Sequence, residues 1–183
     1  MDPSGRIHYS KDNFERVYLI GIKLWPGEAP DADFYALVLY NEVSRDDKNR
    51  PLTQGRHIVF FREPTFADRL LELGDQAFRK YRPFSDSVTY IYDLPAVLEL
   101  LSNGVRDERA ILADFINELL DFVQATGSEM PAVYRSALYA LADRTTFDLE
   151  YGSLFADAPE KRIDTRDALA WSLGTILAHA VLH

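Results

Sequence analysis

Apolar residues in the first half of the chain recur at strand spacing. Residues 16–24 (RVYLIGIKL) place Tyr18, Ile20, Ile22 and Leu24 on one face, and Trp25-Pro26-Gly27 stops the run where proline withdraws a backbone donor. Residues 34–42 (FYALVLYNE) are apolar on both faces. That pattern belongs to a strand covered on each side, or to one that offers a face to a partner. Residues 56–62 (RHIVFFR) and 87–93 (SVTYIYD) bring the count to about four strands. Short and medium connections among the first three favour antiparallel neighbours. Between the third and fourth, Pro64-Thr65 opens a helix whose apolar face is Phe66, Ala67, Leu70, Leu71 and Leu73, with Gly74 at its end. This crossover is long enough for 56–62 and 87–93 to run parallel.

The second half changes to helical spacing. Pro95 to Ser102 carries Val97, Leu98, Leu100 and Leu101 and is terminated by Asn103-Gly104. Asp107 caps a helix reaching about Thr126, with Gly127 just past its end. Its apolar residues Ile111, Leu112, Phe115, Ile116, Leu119, Leu120, Phe122 and Val123 leave only a narrow polar stripe. A further helix starts near Met130 with Pro131 in its first turn and buries Val133, Tyr134, Ala137, Leu138 and Leu141. The last, from about Thr165, is apolar nearly all round and is expected at the centre of the helical layer. The fold class is therefore α+β: a mostly antiparallel sheet of about four strands from the N-terminal half, packed by helices, with a C-terminal helical layer. Two loops stand out. Residues 43–55 (VSRDDKNRPLTQG) are charged and turn-rich; residues 145–164 mix Phe147, Tyr151 and Phe155 with acids, and the aromatics point to docking on the body of the domain.

At 183 residues the chain is expected to be a single domain, residues 1–183, with 1–15 a mobile N-terminal segment. The absence of cysteine excludes a disulfide scaffold, a zinc ribbon and a thiol nucleophile, and fits a reducing compartment. The N-terminus lacks the apolar core of a secretory signal, and the longest apolar stretch, Ala168 to Leu182, falls short of the roughly 20 residues a bilayer crossing takes. A soluble cytoplasmic protein with no membrane association is expected. Charge is uneven: residues 1–92 hold 13 Lys and Arg against 14 Asp and Glu, and residues 93–183 hold 7 against 15, for a net of −9 over the chain. An acidic surface repels phosphate, so nucleic acid is not an expected partner. The small basic cluster Arg79, Lys80 and Arg82 reads as a solvated helix end.

No phosphate-binding loop, GxGxxG turn, GxSxG elbow, HExxH or EF-hand loop occurs. His57 opens a strand and His179 lies on the last helix, and each reads first as a structural histidine. The carboxylates are stronger candidates. Asp114, Asn117, Glu118 and Asp121 recur three and four apart on one helix and project from one narrow face. If exposed, such a stripe simply solvates; if buried, its like charges raise a pKa or recruit a cation. Arg109, Arg135 and Arg144 could instead neutralise it as a salt-bridge network.

Two functional readings follow. In the first, the protein is a non-catalytic interaction or regulatory module that binds a basic protein through the stripe, with no cofactor. In the second, Asp114, Glu118 and Asp121 with His179 hold a divalent metal and the protein is a metal-dependent hydrolase. The doubly apolar strand and the apolar last helix also make a homodimer a candidate assembly.

Overall fold

The computed structural model describes residues 16–26, 32–40, 50–65, 90–103, 109–147, 155 and 160–183. Among the described residues seven strands form one mixed sheet: β1 (Arg16–Lys23), β2 (Phe34–Tyr40), β3 (Arg50–Pro51), β4 (Thr53–Gln54), β5 (His57–Phe61), β6 (Tyr90–Asp93) and β7 (Ala180–Leu182). Four helices lie among the described residues: α1 (Leu94–Asn103), α2 (Arg109–Ala125), α3 (Ala132–Phe147) and α4 (Glu160–Ala178). The class is α+β. Among the described residues the sheet is mostly antiparallel, in four of its six pairings, and becomes mixed because its two outlying strands, β6 and β7, each join a neighbour in parallel.

The chain forms two compact units, one comprising residues Met1–Leu94 and His179–His183, the other Pro95–Ala178. In the first, β1 pairs antiparallel with β2 from Arg16↔Tyr40 to Ile22↔Phe34. Asp33 fixes the connection: its N–H donates to Ile22 O at 2.9 Å, and its carboxylate accepts from Leu24 N at 2.6 Å and Trp25 N at 3.2 Å. β2 meets β5 only at Tyr35↔Phe61 and Ala36↔Phe60. Beyond that the two strands diverge and β3 and β4 fill the wedge. Leu52, between them, donates to Leu37 O at 2.8 Å and accepts from Val59 N at 2.9 Å. The charged loop of the sequence reading thus ends in sheet, while its residues 43–49 lie outside the described residues. Gly55, at φ 67°, makes the turn from β4 into β5. Residues Tyr35 to Leu39 are all buried, so both faces of β2 are shielded from water, as the doubly apolar pattern requires.

The fourth expected strand exists as β6, but its partner is β1, in register Ile20↔Tyr90 to Lys23↔Asp93, with Lys23 Nζ 3.4 Å from Asp93 Oδ2. β5 and β6 do share a direction, since each runs opposite to β2; they are not neighbours. The chain turns helical at Pro64 and Thr65; the rest of that expected helix, the cluster Arg79, Lys80 and Arg82, and the segment 1–15 lie outside the described residues.

In the second unit α2, α3 and α4 pack on one another. α2 buries Leu112, Phe115, Ile116, Leu119, Phe122 and Val123. It ends as the sequence indicates: Gly127 takes φ 70° and its N–H bonds Gln124 O at 3.0 Å. α4 corrects one expectation. It is not buried all round: Thr165, Ala168, Leu169, Ser172 and Ile176 form one buried stripe, while Ile163 and Leu177 remain more than half exposed. Nor does the apolar run continue as helix to Leu182, because Ala180–Leu182 leaves it to pair with β5. The buried hydroxyls satisfy themselves locally. Ser172 Oγ donates to Ala168 O at 2.8 Å, Thr165 Oγ1 to Lys161 O at 2.8 Å and Thr145 Oγ1 to Ala142 O at 2.9 Å, so no unmet donor opposes their burial. No helix among the described residues is long and apolar enough to cross a membrane.

Candidate functional site

The acidic stripe lies along α2, and the helical wheel explains how its members differ. At 3.6 residues per turn, Asp114 and Asp121 stand nearly opposite the buried line of Leu112, Ile116 and Leu119, whereas Glu118 is only about 40° round from buried Phe122. Asp114 is accordingly exposed and Glu118 is drawn into the edge of the apolar face; Asn117 is also exposed, and Asp121 is half-buried despite its outward position on the wheel. Its Oε1 is the buried side-chain polar atom without a hydrogen-bond partner among the described residues. Burial pushes the Glu118 carboxyl up to about 7, and the neighbouring charges of Asp121 and then Asp114 push in the same direction. These three carboxylates thus act on one another.

Three arginines are candidate neutralising partners. Arg135 donates to the Met130 carbonyl at 3.4 Å, Arg144 lines a cleft described below, and the Arg109 side chain lies outside the described residues. His179 is not part of the helical unit: it sits between α4 and β7, with its ring 6.0 Å from that of His57. Among the described residues no group of three or more His, Asp or Glu side chains is arranged to hold a metal ion.

A second feature escaped the periodicity. α3 and α4 flank a cleft of about 240 Å³ whose wall includes Val133, Ala137, Ala140 and Leu141, with Arg144 and Lys161 among its charged residues. Phe155 also lines it and is buried, and the Arg162 guanidinium lies 5.6 Å from the Phe155 ring centre. One aromatic of the loop 145–164 therefore docks as expected; Tyr151 and the Phe147 side chain lie outside the described residues. Ligand pockets usually enclose about 300–1,000 Å³, so the cleft has room for one or two side chains rather than a cofactor-sized molecule. Only the loop aromatics hinted at it in the sequence.

No family model matches the sequence, and neither does any curated protein. One solved structure, "The crystal structure of SatS c-terminal domain in complex with bromine", aligns with a TM-score of 0.60 over 91% of this chain and 94% of that one, at 16% sequence identity. The likeness is one of fold.

Proposed function

We propose that the protein is a non-catalytic interaction module that binds a basic protein through the acidic face of α2. The observation that carries this reading is the outward placement of the stripe, with Asp114 and Asn117 exposed and Asp121 half-exposed beside a Glu118 whose carboxyl is raised first by burial and then by the charges of Asp121 and Asp114. Clustered like charges at an accessible face cost self-repulsion, and that cost is relieved when Lys or Arg side chains of a partner approach. The helical unit as a whole holds 7 Lys and Arg against 14 Asp and Glu, so its field steers such a partner toward the molecule. A cytoplasmic setting goes with this reading.

The test begins with the protein captured from lysate at low salt. Its affinity for the purified protein should weaken by about tenfold or more between low and high ionic strength, because exposed charge pairs are screened beyond a Debye length. Asp114→Lys combined with Asp121→Lys should abolish capture of that same protein while leaving helical circular dichroism unchanged. A complex indifferent both to salt and to this charge reversal would refute the assignment.

A further inference from the structure

We propose that His57 and His179 form a binding site for a borderline transition-metal ion, Zn²⁺, Ni²⁺ or Cu²⁺, that ties the C-terminal strand to β5. The residues are far apart in sequence and are brought together by sheet register. β5 and β7 pair in parallel from Ile58↔Ala180 to Phe60↔Leu182, and the Ile58 N–H donates to the His179 carbonyl at 2.8 Å. The two histidines thus stand at matching positions, one step ahead of the first rung. The turn at Gly55 leads into β5, and in sequence His179 directly precedes β7.

The ring centres lie 6.0 Å apart with planes tilted by 37°. An imidazole nitrogen sits about 2.0 to 2.1 Å from zinc, which puts each ring centre about 3.2 Å from the ion, so two rings on one ion have centres roughly 5 to 6.4 Å apart. The observed separation falls inside that span. His57 is exposed and His179 half-buried, so the space between the rings is open to an ion from solvent. Imidazole suits zinc, nickel and copper, while magnesium and calcium prefer oxygen. Solvent fills the remaining coordination positions. The ion reinforces a contact that needs it: β7 has three residues, and so short a parallel pair is a weak tether. Because the backbone holds both ligands in place beforehand, little ordering has to accompany binding.

Nickel and zinc titrated calorimetrically into the full chain should give one ion bound per molecule. His57→Ala and His179→Gln should each weaken binding at least tenfold, with His57→Ala leaving the metal-free melting temperature unchanged because that ring is exposed. Substoichiometric copper should broaden the imidazole NMR signals of His57 and His179 together before those of His8 and His183. Acid should release the ion, since protons compete for the ring nitrogens. Undiminished binding in either variant, earlier broadening at His8 or His183, or no binding at about 1 mM metal would overturn the proposal. None of these outcomes bears on the α2 stripe.

Discussion

Glu118 is the residue at which sequence pattern and chemistry part company. Its spacing from Asp114 and Asp121 is plain in the sequence, and the wheel even places it at the margin of the apolar face. How deep that margin lies depends on what packs beside Phe122, which no periodicity contains. The consequence is measurable. The folded state holds the Glu118 proton up to about pH 7, whereas the ordinary value is 4.5. At this site the folded protein therefore binds more protons than the unfolded chain between these two values, and the contribution of Glu118 to stability falls as pH rises through that window. Below about 4.5 the side chain is neutral in both states and carries no penalty; above about 7 the penalty is complete, with a ceiling of about 3 kcal/mol from the linkage relation. Glu118→Gln removes the ionisation. The variant should match the parent in urea denaturation near pH 4.5 and exceed it near pH 8. Equal pH dependence in the two proteins would show that Glu118 ionises freely.

At the level of elements, strands and helices that make their own case locally were legible, and those that exist only through a partner were not. β1, β2 and β5 carry period-two or doubly apolar patterns, and α1 to α3 carry caps, prolines and glycines where they start or stop. β3 and β4 have two residues each, too few for any period, and they exist because β2 and β5 diverge around Leu52. β7 was hidden inside an apolar run that satisfies helical spacing, and the change of structure at His179 comes from the unmet edge of β5. The same helix offers a test of local propensity against packing. Gly174 lies in α4, and a Cβ built there meets nothing within 4 Å. Gly174→Ala should therefore stabilise the protein by about 0.5–1 kcal/mol, by restricting the unfolded chain and improving helix propensity. Gly55→Ala also meets nothing within 4 Å, yet it forces a side chain into φ 67° and should destabilise by about 1–2 kcal/mol. Shifts of the same sign at both sites in urea midpoints would show that steric space, rather than backbone conformation, decides the effect.

For the molecule as a whole, the informative fact is that the sheet unit is not continuous in sequence. Its strands β1 to β6 come from the first half of the chain, and its last strand is supplied by the final residues after the helical unit has intervened. A reading that divides the chain into a sheet half and a helical half captures the class but cannot see this return. Pairing β7 with β5 closes a long loop, so its entropy must be met by the few hydrogen bonds the short strand makes. Three of them are identified: Ile58 N to His179 O at 2.8 Å, Arg62 N to His183 O at 3.1 Å, and His183 N to Phe60 O at 2.8 Å. A chain ending at Ala178 should lose amide protection at Ile58 and Arg62 in hydrogen exchange, because their acceptors are gone, while α2 and α3 amides keep theirs. It should also aggregate more readily, since the uncovered edge of β5 presents unpaired backbone groups flanked by Ile58, Val59 and Phe60. Protection lost equally in α2 and α3 would mean that the two units unfold as one and that β7 holds the whole chain together rather than its sheet alone.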